Sequence, residues 1–420
     1  MTNQAITLSH PTRSLTGTVS LTGSKSESNR ALIIQALGRG NVNINNLSEA
    51  ADTVTLRQAL VTVAAAESDT ETRIDIGPAG TAMRFLTAYL TLTSKDGSYH
   101  LTGSERMKQR PIGILVDALS TLGANIQYAG QPGYPPLTIH GGLNQRTTTV
   151  KIKGDVSSQY LSALLLVASA LPNGLRLQIE GELTSRPYLS MTLNMLAEAG
   201  IAHSWENNTI TISPQQIQPC ELTIEPDWSA ASYWYAMVAL AEKADLLLPN
   251  LKPQSLQGDA AITSIMEQFG VISTFQKEGL RIRKASFDGN AITGPLDFTE
   301  CPDLAQTVIV CAAAQRRNLS FTGLHTLRIK ETDRVAALQR ELAKIGVQLV
   351  EDGTVYHLRT EAMFRPATLA IDTYEDHRMA MAFAPLALLF NNMQINDPAV
   401  VEKSYPDFWK HLKQHGFVIS

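Results

Sequence analysis

The stretch Gly23-Ser24-Lys25-Ser26-Glu27-Ser28-Asn29-Arg30 runs directly into Ala31-Leu32-Ile33-Ile34-Gln35-Ala36-Leu37. It reads as a small-residue loop carrying hydroxyls, one Lys and one Arg that opens an apolar helix. A helix start leaves backbone N–H groups unpaired and carries partial positive charge. Ser24, Lys25, Ser26 and Arg30 add donors suited to phosphate or carboxylate. The G-x-x-x-x-G-K-[ST] spacing of a nucleotide-phosphate loop is absent. Taken alone, a capped, solvated helix start explains the stretch as well as an anion site does. The pattern, however, returns five more times.

The further copies open at Gly77-Pro78-Ala79-Gly80-Thr81-Ala82-Met83-Arg84, Asp155–Tyr160, Asp227–Tyr233, Cys301–Gln306 and Glu375–Ala380. Second loops follow at Lys108–Pro111, Thr184–Tyr188, Lys330–Arg334 and Lys403–Asp407. Copies recurring at roughly 70 residues imply six βαβα-type units, hence two lobes of three. Either the helices or the sheets lie inside. Short strands are expected at Ala5–Leu8, Gly17–Leu21, Leu175–Ile179 and Thr209–Ile212, and a helix over Val335–Leu342 closing at Gly346. The runs Leu161–Ala170, Thr307–Ala314 and Met379–Phe390 are apolar nearly all round, which predicts buried helices.

Composition narrows the function. A chain of 420 residues suits two domains of about 200 residues each. Its net charge of −4, without a Lys/Arg block, argues against nucleic acid as a partner. Cys220, Cys301 and Cys311 form no C-x-x-C pair, so neither a zinc site nor a disulfide framework is expected, and a reduced cytoplasm fits. Met1–Pro11 reads as neither a secretory nor a transit segment. The longest apolar run, ending at Leu171, is interrupted by Ser162 and Ser169 and is too short to span a bilayer, so no membrane association is expected.

Lys25, Arg30, Arg84, Arg110, Lys330, Arg334, Arg378 and Lys403 all fall at the repeated loops. Each could cap or pair locally; jointly, in an acidic chain, they point to an anion-binding cleft. Asp303, Glu331 and Asp376, interleaved with these cations, are candidate proton-transfer groups. Asp333 reads as a helix-start carboxylate. His377 could shuttle protons, bond phosphate or make a structural hydrogen bond. No H-E-x-x-H or G-x-S-x-G pattern occurs, so the expectation is chemistry without metal or cofactor.

From about residue 6 to 415 these motifs together resemble the 5-enolpyruvylshikimate-3-phosphate synthase family. The resemblance rests on Gly23–Arg30, Ala79–Arg84, Gln109-Arg110-Pro111-Ile112-Gly113, Val156–Gln159, Lys330–Arg334 and Asp376–Ala380. It implies an α/β (α+β) fold of two lobes, each built from three βαβαββ units with buried helices, with a hinge between them. Residues 24–224 would form the lobe that binds mainly shikimate 3-phosphate. Residues 1–23 with 225–420 would form a discontinuous second lobe that completes the phosphoenolpyruvate site.

By the same resemblance, Lys25, Ser26, Arg30, Ser157, Ser158, Gln159, Ser185, Tyr188, Asp303, Thr326 and Lys330 would hold shikimate 3-phosphate. Lys25, Gly80, Arg110, Gln159, Arg334, Arg378 and Lys403 would hold phosphoenolpyruvate. Asp303, Glu331 and Lys25 would be catalytic, with Asp303 the base toward the shikimate 5-hydroxyl and Glu331 the acid toward the methylene carbon. The expected protein is a cytoplasmic monomer whose partners are these two small molecules.

Three positions depart from the family pattern. Pro78 stands where Asn is usual, which removes an amide and a backbone donor. Phe85 replaces a Pro, so the packing of that helix must differ. Thr326 replaces an Asn that contacts substrate phosphate. Gly80, the small residue associated in the family with the inhibitor glyphosate, is retained between Pro78 and Phe85. Competing expectations are the sister enzyme acting on UDP-N-acetylglucosamine, a non-catalytic anion-binding protein of the same fold, and an RNA-processing cyclase. The sister family usually carries a loop Cys that Leu101–Arg110 lacks, binding alone requires no acid–base pair, and the acidic balance opposes an RNA substrate.

Overall fold

A computed structural model describes residues 5–67, 70–93, 97–285 and 294–420. The chain divides into two compact units, one continuous, Gly23–Ile224, and one discontinuous, Met1–Thr22 with Glu225–Ser420. The first four residues of the expected 1–23 segment lie outside the described residues.

Three sheets form in each unit among the described residues. In the discontinuous unit they run Leu369–Ile371, Met393–Asn396, Ala5–Ser9, Val418–Ile419; then Val271–Gln276, Gly279–Lys284, Lys243–Pro249, Ser14–Thr18; and Leu296–Asp297, Ser320–Thr322, Val355–Arg359, Gln348–Asp352. The continuous unit has Ser204–Glu206, Thr209–Ile212, Leu175–Glu180, Thr149–Lys153, then Glu71–Asp75, Ser98–Thr102, Leu137–His140, Asn125–Tyr128, and a shorter pair, Cys220–Thr223 parallel to Val42–Asn45.

Within each unit the helices lie inside and the sheets outside. Helix Trp228–Leu240 is buried along nearly its whole length and packs on Ala305–Ala314, which in turn packs on His377–Phe383. In the continuous unit Ser158–Ala168 plays the central part, packed between Gly80–Leu90 and Arg186–Glu198. These Ala- and Leu-rich segments have no polar face to offer water, so burial on all sides is their stable arrangement. The strands carry a buried residue at every second position, as in Leu175, Leu177 and Ile179, which leaves the outer face to solvent.

Local structure departs from expectation in three places. The second strand is Ser14–Thr18 rather than Gly17–Leu21. Val19 and Leu21 are buried, but the strand ends at Thr18, so their alternation reflects core contact without strand geometry. The opening loop is shorter than expected, because helix Lys25–Gly38 already includes Lys25–Arg30. Ser24 caps it by accepting from Glu27 N at 3.4 Å, and Ser24 with Glu27 has the S-x-x-E spacing of a capping box. The apolar run from Met379 divides into helix His377–Phe383 and a 3-10 turn Ala384–Leu388, where Pro385 removes a donor. Helix Arg334–Ala343 is one residue longer at each end than expected, and Gly346 follows it at φ 75°. No described helix is long and apolar enough to cross a membrane.

Candidate active site

In the discontinuous unit, helix starts meet around one guanidinium. Arg334 opens helix Arg334–Ala343, whose N-cap Asp333 accepts from Ala336 N at 3.0 Å. Asp333 thus takes the helix-start role expected of it, and also pairs with Arg328 at 3.1 Å. Arg334 is 1% exposed. Its Nε meets Asp376 Oδ2 at 2.7 Å, Nη1 meets Asp303 Oδ1 at 3.0 Å and Nη2 meets Glu331 Oε2 at 3.0 Å. Such forked pairing is what a planar five-donor cation offers and an ammonium does not.

Further cations surround the same carboxylates. Arg378 Nη2 lies 2.9 Å from Asp303 Oδ2 and Lys403 Nζ 2.9 Å from Glu331 Oε1, with Lys330 Nζ 3.9 Å from Asp303 Oδ1. Asp303, Glu331, Lys330, Arg334, Arg378 and Lys403 are therefore gathered in one network. Sequence reading placed Asp376 among the proton-transfer groups. Here it caps helix His377–Phe383 and anchors Arg334, fully buried.

The electrostatics follow from this arrangement. Burial opposes ionisation of Asp303, but Arg378, Lys330 and Arg334 outweigh it and hold the carboxyl well below the ordinary range. Burial costs Arg334 its charge, yet Asp376, Glu331 and Asp303 reverse this and push it above its usual value. Lys330 is lowered, first by burial and then by Arg334 and Arg378, against the pull of Asp303 and Glu331. The Tyr233 hydroxyl, 3.2 Å from Arg378 Nη1, is pushed up to about 12, chiefly by burial.

In the continuous unit, helix starts again come together. Arg30 is enclosed: Nε donates to Thr192 Oγ1 at 2.7 Å, Nη1 to Ser26 O at 2.8 Å, and Nη2 to Ser162 Oγ at 2.9 Å and Tyr188 O at 3.2 Å. Its guanidinium lies 5.5 Å from the Phe85 ring and 5.9 Å from that of Tyr188. Burial lowers it to about 10. Phe85 thus packs on a buried cation.

The other expected groups of this unit fall nearby on the chain's helix starts. Lys25 pairs with Asp52 at 3.2 Å. Gln159 Nε2 donates to Thr81 Oγ1 at 3.3 Å, and Ser157 caps the helix that begins at Ser158. Arg110 lies over Gly80, where a Cβ would come within 2.5 Å of its Nη1. Arg84 is turned to structural use, donating to Pro111 O at 2.8 Å and Gly80 O at 3.3 Å, so it braces the loop that carries Arg110. Ser185 sits at φ 55° at the start of helix Arg186–Glu198. In the discontinuous unit, Thr326, in the 3-10 turn His325–Ile329, has a buried hydroxyl without a hydrogen-bond partner among the described residues.

Sequence reading missed Asp259, which accepts the Ser229 hydroxyl, whose oxygen lies 3.2 Å from Arg378 Nη2. Ser229 sits on a repeated loop, but Asp259 lies in the 3-10 turn Gly258–Ala261, outside every copy of the repeat. Only the tertiary fold reveals it. No cluster of three or more His, Cys, Asp or Glu side chains suited to a metal ion occurs among the described residues.

The fold matches that of enolpyruvyl transferases among solved structures. EPSP synthase from Acinetobacter baumannii superimposes with a TM-score of 0.77 at 20% identity, covering 99% of this chain and 100% of that one. The enolpyruvyl transferase NikO from Streptomyces tendae gives 0.69 at 16% identity, covering 100% and 99%. The family described as EPSP synthase (3-phosphoshikimate 1-carboxyvinyltransferase) matches residues 9–412, and the chain belongs to it. A 3-phosphoshikimate 1-carboxyvinyltransferase of Bacteroides fragilis (strain YCH46) is 44% identical over 415 residues, 98% of each chain. One of Shewanella loihica is 37% identical over 423 residues, covering 95% of this chain and 97% of the relative.

Proposed function

We propose that this chain transfers the enolpyruvyl group of phosphoenolpyruvate to the 5-hydroxyl of shikimate 3-phosphate and releases phosphate, the activity in the name of its relatives. The observation that carries the reading is that Asp303 and Glu331 share one buried guanidinium, Arg334, at 3.0 Å each. A proton acceptor and a proton donor are thereby fixed side by side, within reach of Lys330, Arg378 and Lys403.

The chemistry is an addition followed by an elimination. The 5-hydroxyl gives its proton to Asp303 and bonds to the central carbon of phosphoenolpyruvate, while Glu331 protonates the methylene carbon. The tetrahedral intermediate then loses phosphate and a methyl proton, which restores the double bond. Within the network each carboxylate is paired with cations, and Asp303, held low by its cations, is a weak base. Substrate carboxylate and phosphate compete for Arg378, Arg334 and Lys403: drawing Arg378 or Arg334 away makes Asp303 more basic, and drawing Lys403 or Arg334 away lets Glu331 hold the proton it delivers. Charge that shifts between carboxylate and leaving phosphate is met by cations already in place.

In the continuous unit, Lys25, Ser26, Arg30, Ser157, Ser158, Gln159, Ser185 and Tyr188, with Asp303, Thr326 and Lys330 from the other, are assigned to shikimate 3-phosphate. Gly80 and Arg110 join Lys25, Gln159, Arg334, Arg378 and Lys403 for phosphoenolpyruvate. Lys25 is also assigned to catalysis. The same reading makes the protein a cytoplasmic monomer, which light scattering on the purified chain and fractionation of expressing cells test.

Phosphate release from phosphoenolpyruvate, with shikimate 3-phosphate in one tube and UDP-N-acetylglucosamine in another, decides the matter. Release only with shikimate 3-phosphate is expected. Release only with the nucleotide sugar transfers the assignment to the sister activity, and silence in both points to a binding protein.

A further inference from the structure

Asp259 lies in a turn stitched to the start of helix Trp228–Leu240. Gln257 Oε1 accepts from Trp228 N at 2.9 Å, and Gln257 Nε2 donates to Pro226 O at 2.9 Å. Asp227 caps the same helix by accepting from Ala230 N at 2.9 Å. Asp259 itself is 6% exposed, and its Oδ2 accepts a hydrogen bond from the Ser229 hydroxyl. A hydroxyl has only one proton to give. With that proton committed to Asp259, Ser229 Oγ presents lone pairs, and Arg378 Nη2 meets them at 3.2 Å. The same nitrogen reaches Asp303 Oδ2 at 2.9 Å.

Resting on the enolpyruvyl-transfer reading, we propose that Asp259 is a positioning residue for Arg378: by fixing Ser229 as an acceptor, it holds the guanidinium in the orientation that receives the phosphoenolpyruvate anion. Asp259 touches no substrate in this role, and its hydrogen-bonded route to Arg378 runs through Ser229. Besides Ser229, the groups facing it are Asp303, Arg378, Asp227 and the Cys301 thiol.

The arrangement has a pH signature. Burial, and then the charge of Asp303, raise Asp259 to about 7, against the pull of Arg378 and Ser229. A protonated Asp259 donates to Ser229 instead of accepting, which turns the hydroxyl proton toward Arg378. The acceptor is lost as pH falls through that value. Phosphoenolpyruvate affinity falls with it.

The test measures phosphate release by wild type, Asp259→Ala, Ser229→Ala, the double variant and Asp259→Asn between pH 6 and 9. Each alanine variant is expected to raise KM for phosphoenolpyruvate about tenfold, the scale of a lost hydrogen bond to a charged group, with KM for shikimate 3-phosphate unchanged. The double variant is expected to be no worse than either single one, because the two residues act as one chain of contacts. Asp259→Asn keeps an acceptor oxygen at every pH. It is expected to retain low KM while losing the rise that wild type shows below pH 7.

Additive effects of the two alanine changes, parallel rises in both KM values, or an acid limb that persists in Asp259→Asn each overturn the proposal. If Asp259→Ala does not fold, Ser229→Ala and Asp259→Asn carry the same comparison. Wild type that releases no phosphate at all overturns the enolpyruvyl-transfer reading instead, so the two failures are told apart.

Discussion

Gly80 and Arg110 are in contact across the start of a helix: a Cβ on Gly80 would stand 2.5 Å from Arg110 Nη1 and 3.0 Å from its Cζ. No side chain fits there unless the guanidinium moves. Arg84 and Tyr160 both bond to Pro111 O, so the backbone beside Arg110 is braced and the displacement falls on the side chain. Gly80→Ala is therefore expected to shift Arg110 by roughly 1 Å and to lower kcat/KM for phosphoenolpyruvate about a hundredfold. Steady-state kinetics check this. An unchanged kcat/KM would remove Arg110 from the phosphoenolpyruvate site.

Asp303→Asn keeps the shape of the side chain and removes its basicity. Turnover is expected to fall about a thousandfold, within the usual range for a general base, while KM for both substrates changes little. Turnover near that of wild type would assign the base elsewhere.

Arg334 supports three carboxylates from a buried position. Removing it leaves Asp303, Glu331 and Asp376 facing one another with their central cation gone. Arg334→Met is expected to destabilise the chain by about 3–5 kcal/mol, as when one partner of a buried ion pair is deleted. Thermal unfolding at pH 7 and again at pH 4 measures it. The loss should shrink at the lower pH as the carboxylates that have lost this cation take up protons.

The His411 ring, 2.7 Å from the Tyr405 hydroxyl, is lowered from its ordinary 6.5, chiefly by burial. At a given acidic pH the folded chain then binds fewer protons there than the unfolded chain does. Its contribution to stability is complete above pH 6.5 and is lost as pH falls from there toward the lowered folded value. The melting temperature of wild type should drop more steeply than that of His411→Gln between pH 7 and 5. Parallel slopes would show that this ring is not the group responsible.

Much of this molecule could be read from local signals. Ser24 with Glu27 spells a helix start, Gly346 an end, and the returning pattern of loops the number of sheets. The buried run at Leu161–Ala170 announces its own environment. Arg334, Arg378 and Lys403 lay at the repeated loops, so the repeat itself pointed to them. What escaped was long-range. Nothing at Arg84 says that it will bind backbone carbonyls while its neighbour Arg110 faces Gly80. Nothing near Gly258 marks Asp259, because its meaning depends on a hydroxyl thirty positions away in sequence. The strand at Ser14–Thr18 was misplaced for the opposite reason: Val19 and Leu21 have the right alternation but lie beyond the end of the strand.

The antiparallel seam between the two ends of the chain has a consequence for biosynthesis. Thr7 N donates to Ser420 O at 2.8 Å, and Ala5–Ser9 pairs along Met393–Asn396. The first strand to emerge from a ribosome therefore waits for almost the last. At 5–20 residues per second that interval is roughly 20–80 s, during which Gly23–Ile224 already holds every strand of its own sheets. A nascent chain halted at residue 390 should thus resist protease across the continuous unit and be cut within its first twenty residues. The same seam sets Thr7 beside Ser420, so a gene permuted to begin at Glu225 and to join Ser420 to Met1 would keep each sheet while relieving Ala5–Ser9 of its wait.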